Sequence, residues 1–169
     1  MTDTIENLEQ DYWGEPTYGS HLVSSCHELR KKSISRFTPS DLRIMIGQDI
    51  GTQYLMPKAL GILFDKPLIS ATFFEGDLLR AILKLPTEYW EKHPEHLAET
   101  LVIAEIALNS ISSIREELKE DDIRERARQF TLYGAKLEPI YVEEEHKNIE
   151  EKVREFIKRT GTKRREHKK

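Results

Sequence analysis

The chain has 169 residues, enough for one compact core with a small appendage and too few for two full domains. At 38% hydrophobic and 33% charged residues it reads as a soluble domain with a modest core, and its single cysteine, Cys26, excludes a disulfide framework and the multi-cysteine zinc patterns. The net charge of −4 is unevenly spread: seven of the 26 basic residues and one of the 30 acids lie in 158–169, which leaves 19 basic and 29 acidic residues in 1–157.

Residues 1–19 are acidic and polar, without a sustained period. Gly14, Pro16 and Gly19 among Tyr12, Trp13 and Tyr18 predict a loop. Ser20 can cap a helix over 20–32, with Leu22, Cys26 and Leu29 on one face and Arg30, Lys31 and Lys32 at the negative end of its dipole. Thr38, Pro39 and Asp41 stand in the order of a capping box with proline in the first helical position. Leu42, Met45, Ile46 and Ile50 line the helix that follows. Leu55, Ala59, Ile62 and Leu63 mark another, where Pro57 must lie in the first turn or kink the chain. Segment 68–74 alternates at Ile69, Ala71 and Phe73. It reads as a packed extended connector, with a short strand as the alternative. Asp77 caps a helix carrying Leu78, Leu79, Ile82 and Leu85, which Pro86 stops; Tyr89 and Trp90 fall on one short turn.

The longest predicted helix covers 94–119. Leu97, Leu101, Ala104, Leu108 and Ile111 form its stripe, and Ile103, Ile106 and Ile114 widen it, as in a helix at the centre of a bundle. A helix over 122–133 stops at Gly134. Residues 136–142 read as an extended link, and 143–160 as a last helix that buries Ile149, Val153, Phe156 and Ile157. The expected fold is all-α. An acidic aromatic loop (1–19) precedes a compact bundle of six to seven helices (20–134), then come a link and helix (135–161) and a basic, disordered tail (162–169).

Little in this pattern points to chemistry. His93, His96 and Glu99 could share a helix face, but Pro94 starts the helix after His93 and no fourth ligand is evident. The segment therefore reads as a solvated helix start, and no metal or cofactor is expected. Cys26 lies on an apolar stripe and reads as a buried structural thiol, not a nucleophile. Gly47 and Gly51 form a G-x-x-x-G, a mark of close packing or of a helix end. The run Glu116, Glu117, Glu120, Asp121 and Asp122 reads as a solvated acidic face, because catalytic carboxylates need desolvation to move their pKa values apart. No enzyme activity is expected.

Binding remains. The first 29 residues hold six acids (Asp3, Glu6, Glu9, Asp11, Glu15, Glu28) and no Lys or Arg. Such a field repels nucleic acid and attracts basic proteins. The tail KRREHKK lacks interleaved aromatics and reads as a solubilising end, not a nucleic-acid contact. DYWGEPTYGS sets rigid aromatics with polar tips among charges, as a protein-binding hot spot does. In the alternative, Trp13 and Tyr18 fold back over the bundle. The candidate partner-binding residues are Asp11, Tyr12, Trp13, Glu15, Tyr18 and Glu28. No signal-peptide pattern opens the sequence and no uncharged apolar run nears the roughly 18 residues of a membrane helix, so the expected place is a reducing cytoplasm, with no membrane partner.

Five motifs follow one another: DYWGEP (11–16), LVSSCHELRKK (22–32), DLRIMIGQDIGTQYLMPKAL (41–60), FFEGDLL (73–79) and ILKLPTEYW (82–90). In this order they resemble a family of immunity proteins of bacterial contact-dependent growth inhibition systems, over roughly residues 5–118. The resemblance implies a small, non-enzymatic, cytoplasmic protein that binds and neutralises the C-terminal toxin domain delivered by a neighbouring cell, often a nuclease. It supplies no catalytic residues, fixes neither the toxin nor the oligomeric state, and leaves residues 120–169 outside it. A basic nuclease would be drawn to the acidic body. The alternative function is a helical adaptor or regulatory protein whose basic tail contacts nucleic acid.

Overall fold

The computed structural model describes residues 3–16, 19–117 and 139–161. Among them stand eight α-helices and no strand, so the chain is all-α as its periodicity predicts. They are α1 (Ile5–Glu9), α2 (His21–Lys31), α3 (Pro39–Gly47), α4 (Thr52–Asp65), α5 (Asp77–Leu83), α6 (Thr87–Lys92), α7 (Pro94–Glu117) and α8 (Pro139–Gly161). The chain divides into two compact units, one ending at Thr100 and one beginning at Leu101, so the boundary falls inside α7. The predicted helix over 122–133, the tail and Tyr18 lie outside the described residues.

In the first unit, α1 corrects the reading of 1–19 as loop throughout. Thr4 caps it, accepting from the N–H of Asn7 at 3.3 Å, and Gln10 ends it with a left-handed φ of 54°. The helix holds because Ile5 is fully buried. Gly51 makes room for it: φ there is +61°, and a Cβ would stand 2.6 Å from Cδ1 of Ile5. The G-x-x-x-G thus resolves into the end of α3 at Gly47 and a close approach at Gly51.

The capping box at α3 forms as predicted, with Thr38 and Asp41 exchanging hydrogen bonds. Lys32 adds an ion pair to Asp41 at 2.6 Å. Burial works against the charge of Asp41, yet the hydrogen bonds from Lys32 and Thr38 hold its carboxyl below the ordinary range. Helix α3 packs on α4 and α5, and α2 packs on α1 and α3. Leu42, Met45, Leu55, Leu63, Leu78 and Ile82 are fully buried there. Each such side chain contributes roughly 2 kcal/mol by leaving water. Pro57 lies in the second turn of α4, where the Gln53 carbonyl loses its usual donor. The connector before α5 is a loop with one isolated bridge, Ser70 to Glu75. Tyr89 and Trp90 are buried on α6.

In the second unit, Ile103, Ala104, Ala107 and Ile111 of α7 are buried, while Leu101 and Leu108 are half-buried. The buried face of α7 is therefore turned by about one residue from the predicted stripe. Two polar residues share the buried side: His96, which the sequence reads as part of a solvated helix start, and Thr100. By length and composition alone Pro94–Arg115 could cross a membrane. Helix α8 begins at Pro139, which replaces most of the predicted link over 136–142 with helix. Proline suits a first helical position, since its missing N–H would be unpaired anyway. Ile149, Val153 and Phe156 form its buried stripe, and His146 joins them. Arg115 of α7 donates to Glu150 of α8 at 2.6 Å.

Candidate functional site

Helix α2 has a polar sequence and a thin buried face of Cys26, Leu29 and Arg30. Burial pushes the Cys26 thiol up, so it stays protonated and unreactive. Arg30 is the unusual member, with only 2% of its side chain exposed. A guanidinium withdrawn from water needs compensation in charge and hydrogen bonds, and the segment after α1 supplies it. Nη1 donates to Glu9 Oε2. Nη2 donates to the Asp11 carbonyl at 2.5 Å and to Asp11 Oδ2 at 3.2 Å. The Trp13 ring covers the same group, with Cζ 4.2 Å from the ring centroid, a cation–π arrangement. Nε alone stays without a hydrogen bond among the described residues.

The loop is fastened at further points. Trp13 Nε1 donates to Asp11 Oδ2 at 2.9 Å, and the ring meets His27 edge-on at 5.0 Å between centroids. His27 Nδ1 lies 2.9 Å from the Gly14 carbonyl oxygen. Tyr12 stays 61% exposed, and its hydroxyl donates to Asn7 Oδ1 at 3.2 Å. The candidate residues therefore separate. Asp11 and Trp13 come together on Arg30; Tyr12, Glu15 and Glu28 face solvent; Tyr18 is outside the described residues. Two of the six acids read as unopposed, Glu9 and Asp11, are paired with Arg30.

Arg30 and His27 are the residues that sequence reasoning missed. Arg30 had been assigned to the helix dipole. The available signal was its spacing: it lies four residues after Cys26, on the buried stripe, downstream of acids with no cation of their own.

The histidine segment is also corrected. His93, Glu95 and His96 offer ligand atoms within 4.8 Å of one another, so Glu95 takes the place expected of Glu99. His96 is buried, not solvated, and its Nδ1 shares a hydrogen bond with the Tyr89 hydroxyl at 2.8 Å. The rings of His93 and His96 stack at 5.2 Å with planes 21° apart, and Tyr89 lies 4.6 Å from His93. Burial lowers the pKa of His96 against the pull of Glu95 and favours its neutral form. Burial and the charges of Glu95 and Asp49 push the Tyr89 phenol up, which keeps it protonated. Three donors fall short of the four of a closed zinc site, and stacked rings account for the group as packing.

A family model described as CDI immunity proteins matches residues 7–100, which is 94 of the 169 residues. The matched span falls within the first compact unit, which ends at Thr100. No curated protein matches, and no solved structure matches.

Proposed function

This chain belongs to the family of CDI immunity proteins, and on that premise we propose that it neutralises the cognate toxin domain of a contact-dependent growth inhibition system by stoichiometric binding. The family match over 7–100 is the observation that carries this reading. The protein acts as a binder in the cytoplasm, without chemistry of its own. The toxin domain is a basic nuclease, drawn to a body with 29 acids against 19 basic residues in 1–157.

The loop at 11–16 and the outer face of α2 form one contact surface in this proposal. Tyr12, Glu15 and Glu28 reach the toxin. Asp11 and Trp13, clamped on Arg30, hold the loop in one conformation before the toxin arrives. Pre-organisation of this kind lowers the ordering cost of association. Two histidine rings and a buried thiol are left to packing.

The test is a titration of the toxin domain's nuclease activity with the purified protein. Activity should fall linearly to zero at one equivalent. Full activity at a tenfold excess of protein would falsify the proposal.

A further inference from the structure

The first unit carries a second surface of opposite character. A groove of about 440 Å³ is lined by α3, α5 and the loop that precedes α5. Arg43, Arg80 and Lys84 line it together with Phe73 and Phe74. Residues 1–100 contain ten basic and fifteen acidic residues. Three of those ten cations stand on this groove, and Asp77 is the one acid of the fifteen that does.

Asp77 is already engaged. It is only 4% exposed, and its carboxylate accepts from the backbone N–H groups of Ala71 at 2.8 Å, Thr72 at 3.0 Å and Phe73 at 2.9 Å. Its nearest cation is Arg43, at 3.8 Å. These bonds fix the loop and hold Phe73 outward, 71% exposed, with the Arg43 guanidinium 4.6 Å from its ring centroid. Arg80 lies over Phe74 at 5.4 Å; its Nε is buried without a hydrogen bond, and no carboxylate pairs with it among the described residues. Lys84 follows Arg80 by one helical turn and is exposed.

A single exposed Phe is ordinary on a protein surface. A rigidly held Phe between a guanidinium and two further cations that no carboxylate among the described residues pairs with is not, because it joins an apolar anchor to unmet charge. We propose that this groove is a second toxin-docking surface, which takes an acidic segment of the toxin with its carboxylates on Arg80, Lys84 and Arg43 and its apolar flank on Phe73. This rests on the toxin-binding reading for the identity of the partner. Carboxylate chemistry fits better than nucleic acid. A short acidic segment responds to the charges within about 8 Å of it, and on this groove three cations stand against Asp77 alone. A duplex bearing one charge per ~1.7 Å also meets the surrounding acids. Leu22, which lines the groove, and Arg30, which holds the acidic loop, are eight residues apart on α2, about 12 Å along its axis. Two surfaces of opposite charge at that spacing fix the orientation of one bound partner.

The experiment measures binding of the cognate toxin domain to the full-length chain, to Lys84→Glu, to the double variant Arg80→Glu/Lys84→Glu, and to Phe73→Ala, each checked by thermal melting. Expected are at least tenfold weaker binding for the double variant and for Phe73→Ala, and a smaller loss for Lys84→Glu, whose exposed side chain leaves the fold untouched. Tight binding by the unaltered chain, with all folded variants within threefold of it, overturns the groove and leaves the immunity reading intact. No binding by the unaltered chain overturns both. A fluorescent single-stranded RNA that binds the unaltered chain and is lost in Lys84→Glu also overturns the proposal, in favour of a polyanion site.

Discussion

Replacing Arg30 by Met tests whether one buried cation fastens the acidic loop. Met keeps the length and apolar stem of the side chain and removes its charge. The change takes away the ion pair to Glu9, two hydrogen bonds to Asp11 and the stack under Trp13. Breaking a fully buried ion pair costs about 3–5 kcal/mol, because the partner is left charged and dry. Here the partners can reach water: the side chain of Glu9 is 26% exposed and that of Asp11 is 61% exposed. The cost should therefore fall below that range, at about 2–3 kcal/mol including the lost cation–π contact. For a protein of this size that is a drop in Tm of about 10 °C. Urea titration of Arg30→Met, Glu9→Gln and the double variant gives the coupling between the two sites, expected near 1 kcal/mol or more. A loss under about 0.5 kcal/mol for Arg30→Met, as for an ordinary surface change, or strict additivity with Glu9→Gln, refutes the idea that Arg30 holds the loop.

Tyr12→Ala should leave Tm within a degree or two and weaken toxin binding by about tenfold, roughly 1.4 kcal/mol, whereas Trp13→Ala should lower Tm as well; calorimetry on both separates the exposed residue from the fastening one. Gly51→Ala should cost about 2–4 kcal/mol by chemical denaturation, from the left-handed φ and from overlap with Ile5, and Ile5→Ala in the same chain should make the pair less than additive. Asp41→Ala removes the capping box and the Lys32 bridge, and should cost about 1 kcal/mol at neutral pH. Because the folded state lowers the Asp41 pKa, its contribution is present above the ordinary value of 3.8 and is lost as pH falls through the lowered one. Denaturation curves of the two proteins should therefore converge in acid and stay apart at pH 7; a constant gap would refute the assignment.

Most helices were legible because their faces repeat and their ends are marked. Thr38, Pro39 and Asp41 give both the start of α3 and its cap, and Leu78, Leu79 and Ile82 give the buried face of α5. Helix α1 was not legible, since five residues are too few for a period and its stability comes from one side chain, Ile5, seated against a glycine distant in sequence. The face of α7 was misjudged by one residue because polarity stood in for exposure. Thr100 and His96 are buried despite their hydroxyl and imidazole, and neither fact is written in local sequence. The same limit applied at the candidate site. A charge count over the first 29 residues stopped one position before Arg30. Only the fold brings that cation under Glu9, Asp11 and Trp13. The basic groove was likewise invisible, because Arg43, Phe73 and Arg80 belong to three segments whose neighbours carry acids.

That pairing changes how electrostatic steering should be tested. At long range the toxin meets net charge, so the Arg30 network counts as one negative charge and not two. Reversing Asp11 would alter charge and also release the loop, and a slower association would then have two causes. Glu15 and Glu28 are exposed and take no part in holding Arg30. Glu15→Lys/Glu28→Lys shifts the net charge by +4 and leaves the clamp in place. In about 0.01 M salt, where the Debye length is about 30 Å, the association rate of this variant with the toxin domain should be on the order of tenfold below that of the unaltered protein. In about 1 M salt, with the Debye length near 3 Å, the two rates should meet. Contacts made by Glu15 or Glu28 themselves would show in the dissociation rate, which salt screens less once the groups are partly desolvated. Stopped-flow measurement across the salt series separates the two. Equal association rates at every salt concentration would mean that Glu15 and Glu28 do not guide the toxin.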